Sequence, residues 1–139
     1  MLLAVLSGIV GWFATSFIAK PLADFWNLKS QVLEEMVFTG NINDEHMASY
    51  KASAASLRRL GAKVQATEVT TSWLLRWYLS IFKYDLSIAG KNLIGLSNAL
   101  NVPGRALHAD KIERGLRLPR TSTDEELEAI KQEISHPHR

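Results

Sequence analysis

The sequence contains no cysteine and no charged side chain between residues 2 and 19. The missing cysteine excludes a disulfide framework, a thiolate metal site, an iron–sulfur cluster and a cysteine nucleophile. A GxGxxG dinucleotide fingerprint, a GxSxG nucleophile elbow, an internal repeat and any strand-like alternation are also missing. What is present is 139 residues, 47% hydrophobic and 22% charged, which is a globular composition with room for one domain.

Spacing excludes two further kinds of site. Gly90-Lys91 resembles the end of a phosphate-binding loop, but Asp85 stands where that loop needs its first glycine and Asn92 where it needs Ser or Thr. The histidines are His46, His108, His136 and His138. No two of them have the i, i+4 spacing of a helical metal site. We therefore expect no catalytic residue, metal ligand or cofactor, and a protein that is not an enzyme.

Residues 2–19 form a continuous apolar run, LLAVLSGIVGWFATSFIA. A helix of this length reaches about 27 Å, and about 17 to 20 apolar residues suffice to cross a bilayer. Lys20 can reach the headgroups, and Pro21 marks the exit or a kink. We expect an uncleaved transmembrane anchor over residues 1–20. A signal peptide and a buried core helix are the alternatives; no Lys or Arg precedes the run, and residues 17–19 are a poor cleavage site.

Within this run, small residues recur at spacings of four, three and four, which places them on one side of a helix. They are Ala4, Gly8, Gly11 and Thr15. Such a stripe lets two helix backbones approach closely in lipid, so it predicts self-association or packing on a partner's transmembrane helix. The alternative is that the stripe reflects only the high frequency of small residues in membrane helices.

Charge is distributed in three blocks. Residues 1–50 carry a net charge of −3, residues 51–120 carry +8 and residues 121–139 carry −3, which gives +2 in all. The nearest basic residues to the apolar run, Lys20 and Lys29, follow it. The positive-inside rule therefore predicts a cytoplasmic C-terminal part.

The basic block predicts contact with an anionic surface. The residues expected to make this contact are Arg58, Arg59, Lys63, Arg105, Lys111, Arg114, Arg117 and Arg120. Lipid headgroups are the nearest anionic partner, because the anchor holds the block at the membrane. One alternative is an ordinary solvated face on which the acidic segment 124–133 folds back. The other is an acidic protein or nucleic acid, and nucleic acid is not the expected partner.

Helical periodicity recurs along the rest of the chain. Apolar residues at spacings of three and four predict helices over residues 22–38, 44–67, 72–84, 86–100 and 105–118, and from 122 onward. Gly40 is the expected left-handed cap of the first of these helices, and Asn43 and Asp85 are expected N-caps. Ser122 with Glu125 matches a capping box for the last helix.

Aromatic residues concentrate at places suited to a membrane interface. The expected interfacial residues are Trp12, Phe25, Trp26, Trp73 and Trp77. The segment 72–84 has two interpretations: a helix lying on the membrane, or the central core helix of the domain. We favour the core, although one face could meet the core and the other the lipid.

Two stretches carry a family resemblance. GWFATSFIAKPLADFWNLKSQVLEEMVFTGNI, together with FKYDLSIAGKNLIGLSNAL, resembles small uncharacterised bacterial membrane proteins that have one uncleaved N-terminal transmembrane helix. The resemblance covers about 50 residues of apolar motifs. It implies a bacterial inner-membrane protein and no particular activity.

Together these observations predict an all-α, single-pass membrane protein. Residues 1–20 are the transmembrane anchor, 21–120 a small helical bundle with a basic middle block, and 121–139 an acidic helix and tail. We expect a non-enzymatic interaction or scaffold protein that oligomerises or recruits another membrane protein at the cytoplasmic face. The alternatives are a membrane-perturbing effector and a soluble helical domain that binds nucleic acid.

Overall fold

The regular structure of the described residues is entirely helical. The structure is a computed structural model that describes residues 2–40, 42, 48–102 and 104–135, with the backbone alone for residues 2–4. The elements are α1 (Leu2–Ala14), a π-helical segment (Thr15–Ala19), α2 (Lys20–Thr39), α3 (Ala48–Thr70), α4 (Trp73–Ile81), α5 (Leu86–Asn98), α6 (Arg105–Leu116) and α7 (Asp124–Ser135). The predicted all-α class is confirmed.

The first three elements form one continuous helix from Leu2 to Thr39. We predicted an exit or a kink at Pro21, but the helix continues through it and Pro21 lies in the first turn of α2. A proline ring crowds the carbonyl four residues earlier, and the wider turns of the preceding π-helical segment accommodate it. The boundary expected at residue 20 therefore lies inside a continuous helix.

The second half of this helix is part of the hydrophobic core. Phe25, Leu28 and Val32 are buried at spacings of three and four, the pattern of a helix face turned toward the interior. Next to them α3 contributes Leu57 and Val64, both fully buried. The predicted core stripe of α3 is confirmed at these positions. The helix that carries the apolar N-terminal run is thus also a core helix of the domain.

The closest helix packing in the domain joins α3 to α5. A Cβ atom built on Gly61 would lie 2.9 Å from the carbonyl oxygen of Gly90. One built on Gly90 would lie 2.6 Å from Cγ of Gln65 and 3.1 Å from the carbonyl oxygen of Gly61. Glycine is required at both positions because the two backbones approach too closely for a side chain. Gly90 therefore has a packing role, in keeping with its rejection as part of a phosphate loop.

Two predicted helix boundaries are corrected around Gly40 and α3. Gly40 has right-handed helical angles, φ −47° and ψ −34°, so the predicted left-handed cap is wrong. Its N–H donates to the carbonyls of Met36 and Val37, which continues the helical pattern. The expected N-cap Asn43 lies outside the described residues, and the described α3 ends at Thr70, beyond the predicted end at residue 67.

Caps at the later helices agree in part with the sequence. Asp85 is the N-cap of α5 as predicted, because its Oδ1 accepts the N–H of Ile88 at 2.8 Å. The capping box of α7 is one residue away from the predicted pair. Thr123 N–H donates to Oε2 of Glu126 at 2.8 Å, and Glu126 N–H donates to Oγ1 of Thr123. The sequence contains two overlapping matches to the capping-box motif, Ser122 with Glu125 and Thr123 with Glu126, and the structure has the second.

Two helices end earlier than predicted, and each is followed by a residue in the left-handed backbone conformation. Lys83 has φ 52° and follows the end of α4, so the helix expected over residues 72–84 covers only Trp73–Ile81. Arg117 has φ 50° and caps α6, which ends at Leu116 rather than at residue 118. Neither residue type signals a positive φ in sequence, which is why both ends were placed too late.

Candidate membrane-facing surface

The apolar N-terminal segment is not covered by the rest of the chain. One helix, Val5–Thr39, is long and apolar enough to cross a membrane by length and composition, and its most apolar window is 0% buried. The large exposed side chains before Lys20 are Val5, Leu6, Ile9, Val10, Trp12, Phe13, Phe17 and Ile18. A core helix would bury such side chains against its own domain, whereas these remain uncovered.

The stripe of small residues lies open on this helix. A Cβ atom built on Gly8 or on Gly11 would have no neighbour within 4 Å. Thr15 uses its hydroxyl within the helix, donating to the carbonyl of Gly11 at 2.8 Å. The side chain of Ala4 lies outside the described part of the structure. Gly8 and Gly11 therefore leave a flat strip of backbone to which another helix has access.

Helix α4 is amphipathic, and it exposes its aromatic side. Its buried residues are Leu75 and Leu79. Trp73, Trp77 and Ile81, each four residues after the last, are 75%, 63% and 52% exposed. We call these three residues the α4 outer face. One side packs in the core, in agreement with the core interpretation, while the other side is exposed; the interpretation as a helix lying on the membrane stays a prediction.

The α4 helix lies beside the C-terminal end of the apolar segment. It makes backbone-level contacts with the π-helical segment Thr15–Ala19, which is the last part of the uncharged run. The α4 outer face is therefore close to the point where the apolar run meets Lys20.

An aromatic cluster joins α2 to the end of α4. Phe25 contacts Tyr84 edge-on with ring centroids 5.0 Å apart, and Tyr78 stacks near Tyr84 at 6.3 Å. Phe25 is 1% exposed, so the prediction that it lies at the membrane interface is wrong. Its ring fills the core because it faces the domain at the same angle as Leu28. The other expected interfacial residues, Trp12, Trp26, Trp73 and Trp77, are exposed.

Lys29 closes this junction with polar contacts. Its ammonium lies 4.8 Å from the ring centroid of Trp26 and 5.2 Å from that of Tyr84. It also donates to the carbonyl of Arg117 at 3.2 Å. Burial, and then the positive charge of Arg117, lower the pKa of Lys29. The contacts with Tyr84 and with the carbonyl of Arg117 link α2 to the α4–α5 connection and to the end of α6.

The basic block does not form one surface. Arg105 points inward, because its guanidinium donates to the carbonyls of Thr39, of Ile42 at 2.9 Å and of Leu100 at 3.3 Å. Burial lowers its pKa. The expectation that Arg105 contacts an anionic surface is therefore corrected: its guanidinium donates to carbonyls at the end of α2, shortly after α2 and after α5.

Acidic residues pair with two more of these basic side chains. Arg114 and Arg120 both contact Asp110 and Asp124, with the shortest contact, 2.6 Å, between Arg120 and Asp124. The hydrogen bond to Arg120 and the charges of both arginines lower the pKa of Asp124. At the start of α7, the acidic segment thus folds back on the basic block, as the solvated-face alternative supposed.

The remaining basic residues have separate environments. Arg58 donates to Ser97 at 3.1 Å and to Asn98 at 2.6 Å, Lys63 donates to Gln31, and Arg117 donates to the carbonyl of Phe82. Arg59 and Lys111 are exposed and make no hydrogen bond or ion pair within the described ranges. These two are the basic side chains of the predicted set that remain fully available.

Two buried carboxylates were missed by sequence reasoning. Asp110 is 8% and Glu113 is 2% exposed. Glu113 accepts the N–H of Thr121 at 3.0 Å and its hydroxyl at 2.7 Å. Their spacing of three, beside the apolar Ile112 and Leu116, was the available signal that they face inward. They hold the segment after α6 in place.

In the described part of the chain, His108 has a structural role. Nδ1 of His108 lies 2.9 Å from Oδ1 of Asn92, and its ring lies against Gly95 of α5. Burial, and then the charge of Lys111, lower the pKa of His108. No group of three or more His, Asp or Glu that could hold a metal ion occurs among the residues that the structure describes.

Comparison with known proteins does not assign the chain to a family. No family model, no curated protein and no solved structure matches it. The resemblance to small bacterial membrane proteins therefore stays a prediction.

Proposed function

We propose that the protein is a membrane-anchored interaction protein without catalytic activity. Residues 2–19 cross the bacterial inner membrane once, and the helices that follow form a small bundle at its cytoplasmic face. The protein acts by oligomerising or by recruiting another membrane protein. Its basic side chains Arg59 and Lys111 are available to lipid headgroups.

One observation carries this proposal: the apolar N-terminal segment is uncovered and continuous with a core helix. Its most apolar window is 0% buried, and the same helix then buries Phe25, Leu28 and Val32. A hydrophobic surface of this size on a monomer needs a partner, and lipid is the partner that an 18-residue uncharged helix fits. The continuous helix also couples the orientation of the domain to that of the anchor.

The α4 outer face supports the same arrangement. Trp73 and Trp77 extend from the domain beside the π-helical segment, where the uncharged run ends. Insertion of these rings into the interface would hold the domain close against the bilayer. The tilt of the anchor would then be fixed by the interfacial rings and by the Lys29 junction.

Self-association is the action that the anchor itself supports. The open strip at Gly8 and Gly11 allows close backbone contact with another helix, and a second copy of this chain offers the same strip. Because the chain has no cysteine, single cysteines can report on this contact. We expect Gly8→Cys in membranes to form a disulfide-linked dimer on mild oxidation.

Leu6→Cys is the matched control for this cross-link. Leu6 lies at nearly the same depth but on the opposite side of the helix, about 160° from Gly8 at 100° per residue. We expect little cross-linking from it. Equal cross-linking from both positions would indicate random collision, and a protein that is monomeric in bilayers and captures no membrane partner would contradict the proposal.

A membrane-perturbing effector is the second candidate, and the α4 outer face is the observation that favours it. Two exposed tryptophans beside a transmembrane helix could disturb lipid packing. In that case overexpression would collapse the membrane potential, and Gly8→Leu with Gly11→Leu would abolish the effect. Harmless overexpression with a normal membrane potential would exclude this candidate.

A further inference from the structure

A polar cleft opens next to the α4 outer face. It lies between the end of α3, one side of α4 and the start of α5, and it has a volume of about 780 Å³. Charged side chains from all three elements line it: Glu68, Arg76 and Asp85. The hydroxyl groups of Thr71, Ser80 and Ser87 add hydrogen-bonding capacity. None of these residues is used by the packing described above except Asp85, which caps α5.

Two of the three charged side chains, those of Glu68 and Arg76, have no partner in the described chain. Within residues 2–40, 42, 48–102 and 104–135, the guanidinium of Arg76 and the carboxylate of Glu68 make no hydrogen bond or ion pair, with each other or with other residues. Both residues are exposed, so a ligand in the cleft has access to either charge. Here one positive and one negative group are separated within the same cavity.

The position of Arg76 on α4 determines at which level of the membrane the cleft would lie. Arg76 and Ser80 each lie three residues after a tryptophan of the outer face, so they are its neighbours on the helix surface. This step rests on the proposed function: with Trp73 and Trp77 in the interface, Arg76 lies at the level of the lipid headgroups. The occupant of the cleft would then come from the membrane.

We infer that this cleft binds the phosphoethanolamine headgroup of a membrane lipid. Arg76 contacts the phosphate, with the hydroxyls around it, and Glu68 accepts hydrogen bonds from the primary ammonium. Arginine matches phosphate geometry, and an ammonium group donates to carboxylates.

Charge and hydrogen bonding select this headgroup over two others. The cleft holds two carboxylates, Glu68 and Asp85, against one guanidinium. A purely anionic headgroup would therefore be repelled where a zwitterion is attracted. A choline headgroup has the same net charge, but its quaternary nitrogen has no N–H to donate to the carboxylates.

The test uses the full chain in mild detergent and counts bound lipid by native mass spectrometry. The probes are phosphatidylethanolamine, phosphatidylglycerol and phosphatidylcholine with identical acyl chains. We expect preferential retention of phosphatidylethanolamine. Arg76→Ala should weaken it about tenfold, the loss expected for one charge-assisted contact. Lys51→Ala is the control, because it removes an exposed basic side chain of α3 that makes no hydrogen bond or ion pair in the described chain and does not line the cleft, and it should change nothing.

A second variant tests the role assigned to the carboxylate. Glu68→Leu should keep phosphate binding but lose the preference for ethanolamine over choline, because leucine offers neither a charge nor a hydrogen-bond acceptor. Equal retention of the three lipids by the wild-type protein, or equal effects of Arg76→Ala and Lys51→Ala, would overturn the inference. Soluble glycerophosphoethanolamine binding as tightly as the lipid would also overturn it, by assigning the cleft to a soluble phosphoester.

Failure here is distinguishable from failure of the proposed function. A protein that resists carbonate extraction and cross-links at Gly8, yet shows no headgroup preference, would keep its anchor and lose only this site. Release by carbonate would overturn the anchor, and with it the headgroup depth on which this inference rests.

Discussion

At the scale of single residues, long-range polar contacts decide several features that local sequence does not reveal. Asp85 was predicted as a cap because its partner, the N–H of Ile88, is three residues away. The partners of Arg105 are the carbonyls of Thr39 and Ile42, more than 60 residues earlier in the chain. Only the folded arrangement brings these groups together. The sequence alone therefore predicted that Arg105 is a basic surface residue like the others.

Arg105→Ala is expected to destabilise the domain by about 2–3 kcal/mol, because carbonyls after α2 lose a charged donor. Arg105→Lys should recover part of this loss, since an ammonium supplies charge without the forked geometry. Chemical denaturation followed by circular dichroism measures the change. Arg59→Ala is the control and should stay within about 0.5 kcal/mol of wild type; equal losses for Arg105→Ala and Arg59→Ala would contradict the inward role of Arg105.

The lowered pKa of His108 predicts that the folded protein loses stability on mild acidification. Its pKa is lower in the folded protein than the ordinary value of 6.5, because of burial and the charge of Lys111. The folded state therefore prefers neutral imidazole, so its contribution is complete above about pH 6.5 and is lost as the pH falls through the lowered pKa. We expect the Tm to decrease from about pH 7.5 to about pH 5.

His108→Gln should make this decrease smaller, since glutamine can still hydrogen-bond Asn92 but does not titrate. The difference between the two proteins isolates His108 from the carboxylates that also titrate at low pH. A variant with the same pH dependence as wild type would show that His108 is not responsible.

At the scale of elements, periodicity predicted which side of a helix is buried, but not what lies opposite. The stripes of α3 and α5 were predicted correctly because they bury Leu57, Val64 and Leu93. In the aromatic segment we favoured the core over the interface; Leu75 is buried in the core, whereas Trp73 on the other side of the helix is exposed. Phe25 and Trp26 are adjacent and similar, yet only the angle of α2 against the domain decides which of them is buried.

The α4 outer face is expected to lie in the membrane interface, and fluorescence can test this. The chain has four tryptophans, so Trp12→Phe with Trp26→Phe leaves only those of α4. We expect their emission to be quenched by lipids brominated near the headgroups and less by lipids brominated near the chain ends. Trp73→Phe with Trp77→Phe is the reverse control, and water-like emission from α4 without quenching would contradict the placement.

At the scale of the whole molecule, the N-terminal helix connects two environments. The composition of residues 2–19 was enough to predict an apolar segment outside the core, because an uncharged run of 18 residues has the length that a helix needs to cross a bilayer. Composition could not reveal that the same helix continues to Thr39 as part of the core, or that a π-helical segment precedes Pro21. Those features depend on packing between distant parts of the chain.

The proposed topology predicts a cytoplasmic C-terminal domain. Ser135→Cys would create a single cysteine on the exposed end of α7. We expect a membrane-impermeant maleimide to label it in inverted vesicles and in lysed cells, but not in intact spheroplasts. Labelling in intact spheroplasts would reverse the orientation.

Extraction of the tagged full-length protein from membranes tests the central claim most directly. Membranes are washed with high salt, then with alkaline carbonate, and finally with detergent. The account predicts that only detergent releases the protein, because residues 2–19 lie within the bilayer. Release by salt or carbonate would show that these residues pack on a protein partner, and it would contradict the transmembrane anchor.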